Sequence, residues 1–261
     1  LHMAQQAGGF AWQIDASLCV LYYLNTTPVT VKKTGLQVMD QAVFYKNKPG
    51  NVAKIDQQRV WRYVVTDHAS GWIYVEYVFG GETGENLCAI FINAMQQRHQ
   101  EDPVHGVPVM VMLDPGSANT GAVFKNLCHA LGVKVQINKP GNPRAKGQVE
   151  QAQNLVEREF ESGLKFVAVN NLDELNAMAA RWMRYFNGTA IHSRHGMTRF
   201  NAWLTIKPEQ LIKAPSVEGC REVAVSAPVE RTVPVQLTVP FNSKQFDVAG
   251  VPDVRVGEKL V

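Results

Sequence analysis

Three strand-like segments followed by alternating helices and strands constrain the fold of this chain more than any other sequence feature. The first part is rich in aromatic and β-branched residues, whereas apolar residues recur at helical spacing from Leu87 onward. Antiparallel strands followed by crossovers predict an α/β fold with a mixed five-stranded sheet and helices on both faces. The predicted strands are 10–24, 60–66, 72–79, 108–113 and 133–137, and the predicted helices are 84–99, 123–131, one from Gln148 and one after Asn171.

Composition and residue pattern divide the chain and exclude several classes of protein. With 46% hydrophobic and 19% charged residues, a chain of 261 residues is neither disordered nor collagen-like. Valines fall on odd positions from Val223 to Val239, which indicates strand alternation after the α/β part. The predicted segments are a lead-in with a cloning scar at 1–9, an α/β core at 10–205, a linker at 206–220 and a small β-barrel at 221–261.

Charge, cysteine content and hydropathy limit the partners and the compartment. A formal net charge of +3 and a pI of about 8.6 permit a nucleic-acid partner without requiring one. No cysteine belongs to a Cys-x-x-Cys pair, so we expect no zinc site or disulfide and favour a reducing, cytoplasmic compartment. No apolar run approaches the roughly 18 residues of a membrane helix, so no membrane partner is expected. The cysteines are Cys19, Cys88, Cys128 and Cys220.

Three carboxylates occupy positions that need an explanation. Asp15 lies in the middle of the first strand, Asp114 directly follows a buried strand, and Glu150 is in the first turn of a helix. An aspartate inside a strand is unfavourable by propensity, and a buried carboxylate needs a cation. If the three carboxylates meet at the centre of the sheet, they would form a site for two Mg²⁺ (or Mn²⁺) ions. Two such ions activate the attacking oxygen and stabilise the leaving oxygen of a phosphodiester. Glu157 and Glu159 are rival third acids, although a solvated helix face explains them more simply.

The spacing of the last two acids and several short segments resemble the DDE transposase and integrase superfamily. Thirty-five residues lie between Asp114 and Glu150, as in the D,D-35-E triad that this superfamily carries on an RNase H-like fold. Thr66–Ser70 is similar to a non-catalytic Asp-x-x-Ser hairpin, in which we expect Asp67 to make an Asx turn. The resemblance runs from Trp12 to about Phe200 and includes Trp12–Asp15, Leu113–Ser117, Pro143–Glu150, Phe186–Asn187 and His192–Ser193.

The resemblance implies a transposase of the phage-like (Mu-like) or insertion-element kind, with residues 10–205 as the integrase catalytic core. In such a core, Asp15 would bridge two metal ions, Asp114 would complete one site and Glu150 the other. The implied reaction is cleavage at the 3′ end of an element in double-stranded DNA, followed by strand transfer into target DNA. These enzymes work as multimers that pair two DNA ends, so we expect a homo-multimer on DNA and a nucleoid-associated location.

Basic residues near the predicted site are candidate DNA contacts. The loop before Glu150 contains Lys139, Arg144 and Lys146, and its place favours contact with DNA phosphates over a plain solvated cluster. His192 and Arg194 follow the core helices. For these two residues, DNA contact and local hydrogen bonding are equally good interpretations.

Two other functions remain open from the sequence alone. A nuclease of the RNase H type needs an acid on the helix after the third strand, where Glu82 or Glu85 could serve, and it hydrolyses DNA without joining strands. A non-enzymatic DNA-binding or assembly module predicts that Asp15, Asp114 and Glu150 do not converge and that metal has no effect.

Overall fold

The computed structural model describes residues 11–24, 36–38, 59–116, 121–138, 147–225, 231–241, 244–251 and 254–260. The strands are β1 (Ala11–Leu24), β2 (Leu36–Val38), β3 (Arg59–Asp67), β4 (Ile73–Val78), β5 (Met110–Leu113), β6 (Lys134–Ile137), β7 (Arg231–Thr232), β8 (Thr238–Phe241), β9 (Lys244–Asp247) and β10 (Lys259–Leu260). The helices are α1 (Gly84–Met95), α2 (Ala122–Ala130), α3 (Gly147–Glu159), α4 (Leu172–Thr189), α5 (Arg199–Trp203) and α6 (Val217–Val225), with 3-10 turns at Glu161–Phe166 and Pro208–Gln210. None of the described helices has the length and apolar composition that crossing a bilayer requires.

The central sheet is mixed and has β1 at its centre. Its strand order is β4-β3-β1-β5-β6, and the short β2 pairs with the far end of β1. β3 and β4 run antiparallel to their neighbours because a tight hairpin joins them, whereas β5 and β6 follow helical crossovers and run parallel to β1. The predicted α/β fold with a mixed five-stranded sheet is confirmed.

Helices cover both faces of this sheet, as alternation along β1 shows. Trp12 is fully buried and packs edge-on against Phe91 of α1, with ring centroids 5.9 Å apart. The next residue, Gln13, points to the opposite face, where its Oε1 accepts a hydrogen bond of 3.1 Å from the backbone N–H of Val149 in α3. One polar residue on β1 therefore reaches the helix that carries Glu150.

The α4 helix lies along the β4 edge of the sheet and pairs with its backbone. The side-chain amide of Asn187 accepts from Ile73 N at 3.1 Å and donates to Ile73 O at 2.8 Å. The amide of Asn176 binds Tyr77 in the same two-way manner, at 2.8 and 2.9 Å. These contacts satisfy backbone groups that an edge strand otherwise presents unpaired.

The region after residue 205 differs from its prediction. Residues 206–220, predicted as a linker, include the Pro208–Gln210 turn and the start of α6, whose Cys220 is completely buried in the core. The strand predicted from Val223 is wrong at its start, because Val217–Val225 is a helix. The β-barrel at 221–261 is not confirmed: in its described residues, β7 pairs with β10 and β8 with β9 as two separate two-stranded sheets.

Candidate catalytic site

Strand register predicts that two of the acids lie at one level of the sheet. In the parallel pairing of β1 with β5, Trp12 lies opposite Val111 and Gln13 opposite Met112, which is the last pair. Extended by two residues, this register predicts Asp15 beside Asp114, which directly follows β5. Adjacent strands lie about 4.8 Å apart, so that is the backbone separation expected for the two aspartates.

Hydrogen bonds between α3 and β1 set the third acid relative to the first. Gln13 binds the backbone N–H of Val149, and the Nε2 of Gln153 donates to Asp15 O at 3.1 Å and to Asp15 Oδ2 at 3.3 Å. Glu150 lies one turn before Gln153, and residues three apart share one side of a helix. The exposed Glu150 therefore belongs to the part of α3 that borders Asp15.

The donor set suits a hard divalent cation, since all three acids offer only oxygen. In the described part of the chain, however, no three His, Cys, Asp or Glu side chains stand close enough together to hold a metal ion. Three carboxylates of like charge repel one another when no cation lies between them. The residue types fit Mg²⁺ or Mn²⁺, and closure of the side chains around an ion stays a prediction.

A buried arginine, Arg62, is connected to Asp15 through Gln153 and was not predicted from the sequence. The side chain of Arg62 is 1% exposed and pairs with Glu161 at 2.8 Å and with Glu157 at 2.5 Å. Its Nε also donates to Gln153 Oε1 at 2.5 Å. Burial lowers the pKa of this guanidinium, but Glu161 above all outweighs that effect and keeps the pKa above its ordinary value, so Arg62 is always charged.

One signal in the sequence could have found this network. Arg62 stands between Trp61 and Tyr63 in an otherwise apolar strand, which is the same anomaly that drew attention to Asp15. Ser17 lies on the same face of β1 as Asp15, and its hydroxyl accepts from Arg62 and donates to Gln153 at 3.0 Å.

Asp67 has a structural role in the β3–β4 hairpin. Its Oδ2 accepts hydrogen bonds of 2.7 Å from both the backbone N–H and the hydroxyl of Ser70, three residues further on, whereas the predicted Asx turn binds the backbone two residues on. Complete burial raises the pKa of this carboxyl. Gly71 closes the turn with φ +70°, and a Cβ there would lie 2.5 Å from the imidazole of His192. The hairpin and the segment around His192 are therefore closely packed.

The five candidate DNA contacts divide into two groups. Lys139, Arg144 and Lys146 lie outside the described residues. The guanidinium of Arg194 donates to the carbonyls of His68 and Ala69, so local hydrogen bonding is observed for it. DNA contact by any of the candidates stays a prediction.

The His192 ring also has a local role in this segment. It stacks on His195 with centroids 4.7 Å apart. Burial, with Arg199, His195 and Arg194 nearby, lowers the pKa of His192 to about 4. At neutral pH, His192 is therefore uncharged and does not attract phosphate as a cation.

One family model and several solved structures are similar to this chain. Residues 39–165 match the family model of the TnsB C-terminal domain. No curated protein sequence matches the chain. A chain of the simian T-cell lymphotropic virus intasome in complex with PP2A regulatory subunit B56 gamma is similar in structure, with a TM-score of 0.52 and 14% identity. That alignment covers 79% of this chain and 58% of the viral chain, so this chain spans little more than half of its relative.

Two solved integrase cores are also similar. The catalytic core domain of BIV integrase aligns with 75% of this chain and 93% of its own, at 15% identity and a TM-score of 0.47. The HTLV-2 integrase catalytic core domain in complex with magnesium aligns with 76% of this chain and 95% of its own, at 18% identity and a TM-score of 0.47.

The strand order, the helices on both faces and the intasome likeness define an RNase H-like protein. The TnsB C-terminal match is a second, independent finding, because it rests on sequence. Both findings support the DDE transposase and integrase superfamily, in agreement with the resemblance drawn from its motifs.

Proposed function

We propose that this chain is the catalytic core of a DNA transposase in which Asp15, Asp114 and Glu150 bind two Mg²⁺ (or Mn²⁺) ions. The observation that carries the proposal is the parallel β1–β5 register, which would set Asp15 beside Asp114 when extended by two residues. The anchoring of α3 on Gln13 and Asp15 supports Glu150 as the third ligand. The rival acids Glu157 and Glu159 lie about two turns or more beyond Glu150 along α3, and Glu157 is paired with Arg62.

The three side chains divide the work according to their positions. Asp15 is on the central strand and is bonded to α3, so its carboxylate would be the ligand that the two ions share. Asp114 would complete one ion site and Glu150 the other. When bound, the two ions activate an attacking oxygen and stabilise the leaving oxygen of a phosphodiester.

The proposed reaction has two steps at this one site. In the first, water attacks the phosphodiester at the end of the element, and the P–O3′ bond breaks to leave a free 3′-OH. In the second, that 3′-OH attacks a phosphodiester of the target, forming a new P–O3′ bond while the target strand leaves with its own 3′-OH. The number of phosphodiester bonds is conserved in the second step, so no external energy source is required.

The partners follow from this reaction. Double-stranded DNA binds twice, as the element end and as the target, and a homo-multimer holds two ends together. Lys139, Arg144 and Lys146 would contact phosphates beside Glu150. An enzyme with these substrates acts on the bacterial nucleoid in the cytoplasm.

The test is joining of a pre-cleaved DNA end to plasmid in Mn²⁺. We expect Asp114→Asn to reduce joining by on the order of 100-fold, because an amide replaces a charged metal ligand. Asp173→Asn is the matched control, since Asp173 is an exposed aspartate in the first turn of α4. It should join DNA at the wild-type rate.

The other outcomes separate the alternatives. Nicking without joining, lost in Asp114→Asn, would favour an RNase H-type nuclease that uses Glu82 or Glu85. DNA binding that is the same with and without metal, in both proteins and with no cleavage or joining, would favour a non-catalytic assembly module.

A further inference from the structure

We propose that Gln153 is a positioning residue for Asp15 and that the buried Arg62 fixes the orientation of its amide. The inference rests on the proposed two-metal function and extends it to residues outside the DDE triad. In this arrangement, the protein core sets the direction of the carboxylate that both ions share.

Gln153 connects the helix to the carboxylate directly. Its side chain is buried on α3, and its Nε2 lies 3.1 Å from Asp15 O and 3.3 Å from Asp15 Oδ2. One amide group therefore holds both the backbone and the side chain of the same aspartate. Rotation of the Asp15 carboxylate away from α3 breaks the second of these bonds.

The chemistry of Arg62 decides which way the amide points. A guanidinium has donors and no acceptor, so the atom that faces Arg62 Nε at 2.5 Å is the amide oxygen. The Ser17 hydroxyl donates to the same oxygen at 3.0 Å. Because the oxygen is held on this side, the NH₂ group is directed at Asp15. A reversed amide would place two donors together at Arg62 and two acceptors together at Asp15.

Arg62 is itself held in place from several directions. Its guanidinium binds Ser17 at 2.8 Å, Glu161 at 2.8 Å and Glu157 at 2.5 Å. Glu161 is 2% exposed and also accepts a hydrogen bond of 2.7 Å from the Tyr77 hydroxyl. Ion pairs with one partner this deeply buried leave the guanidinium little freedom. Through the hydrogen bonds from Arg62 to Gln153 and from Gln153 to Asp15, the packed core thus restrains a side chain at the edge of the site.

The consequence is a carboxylate oriented before metal arrives. Groups that orient a metal ligand change metal affinity about 10- to 100-fold when they are removed. Gln153 does not itself need to touch metal or DNA for this effect. Its loss should therefore appear as weaker metal binding and as a higher metal requirement for catalysis.

The experiment measures Mn²⁺ binding to the full chain by electron paramagnetic resonance of free Mn²⁺. We expect Gln153→Met, which is similar in shape but lacks the amide, to raise the Kd for Mn²⁺ by about 10-fold. Gln153→Asn keeps an amide on a side chain one methylene shorter, too short to bridge Arg62 and Asp15, and should weaken binding similarly. It is the variant to use where Gln153→Met does not fold.

Gln151→Met is the matched control, because it makes the same substitution on the same helix at an exposed side chain. Its Kd for Mn²⁺ should equal that of the wild type. The Mn²⁺ concentration for half-maximal joining should likewise rise in the Gln153 variants alone, with the rate recovering at saturating Mn²⁺.

Distinct results overturn the inference and the proposed function. Wild-type binding and an unchanged Mn²⁺ requirement in both folded Gln153 variants would refute the positioning role while leaving the triad intact. A loss of joining that excess Mn²⁺ does not restore, with lower thermal stability, would show a merely structural role. If the wild type neither binds Mn²⁺ nor joins DNA, the two-metal function itself is wrong.

Discussion

At the scale of single residues, the surroundings of His192 have a measurable effect on stability. Its pKa is lowered to about 4 in the folded protein, against 6.5 for an ordinary histidine. Between these values the unfolded chain binds a proton that the folded chain excludes, so the free energy of unfolding falls as the pH drops from about 6.5 to about 4. Above pH 6.5, the contribution of His192 is fully present.

The prediction is that His192→Phe weakens this pH dependence. Phenylalanine keeps a ring against His195 and has no proton to take up. Urea unfolding at pH 7.0, 5.5 and 4.5 measures the effect, and the wild type should lose more stability on acidification than the variant. His129→Phe, at an exposed position on α2, serves as the control and should follow the wild type. Equal slopes in all three proteins would contradict the prediction.

Single residues also mark the limit of inference from sequence. Asp15, Asp114 and Glu150 could be proposed from the sequence because the spacing of the last two, and the short segments around all three, are one-dimensional patterns. The Arg62–Gln153 bond could not, since its partners are 91 positions apart and only the packing of α3 on the sheet brings them together. A charged residue in an apolar strand shows that it needs a partner, but the sequence does not show which residue the partner is.

At the scale of elements, the amide contacts between α4 and β4 should contribute strongly to stability. Asn187 is 1% exposed and satisfies both the N–H and the C=O of Ile73. Asn187→Leu leaves two buried backbone groups unpaired, and each costs about 1–3 kcal/mol. We expect a loss of about 2–4 kcal/mol in the free energy of unfolding, measured by urea denaturation. Asn154→Leu, on the exposed face of α3, should change stability by less than about 0.5 kcal/mol.

Helices and strands were predictable where the apolar residues keep one spacing, helical or alternating, through a long segment. Strands β1, β3 and β4 and helices α1 to α4 follow their apolar patterns to within a few residues. Asn171 caps the start of α4, since Glu174 N donates to its side chain at 2.8 Å, and the Glu174 carboxylate accepts from Asn170 N at 2.8 Å.

The valine alternation wrongly predicted a strand from Val223, because two valines, Val223 and Val225, do not define a period within 221–225. Val217, Cys220 and Ala224 are spaced three and four apart, which is a helical stripe. In the structure, Cys220 and Ala224 are the buried residues of α6. The valine pattern beyond residue 230 gave short strands, but it did not establish how they pair.

At the scale of the whole molecule, the core extends past the boundary drawn from sequence at residue 205. Val107 N donates to Ile212 O at 2.8 Å, and α6 packs against the main hydrophobic cluster. A fragment ending at residue 205 should therefore unfold at lower urea concentration than one ending at 225. The expected difference is about 2 kcal/mol or more, since burying one apolar side chain contributes about 1.5–3 kcal/mol. Equal midpoints would show that 206–225 is a dispensable linker.

The Asn176 and Asn187 amides on the β4 edge have a further consequence under the proposed function, in which several copies gather on DNA. An unpaired edge strand can hydrogen-bond a strand of another protein copy and so extend the sheet. Binding of several copies to one DNA molecule would raise the local concentration of such edges. Here the backbone positions at Ile73 and Tyr77 are already taken by a helix of the same chain. Copies brought together at this side can meet through side chains, but not by fusing their sheets into an aggregate.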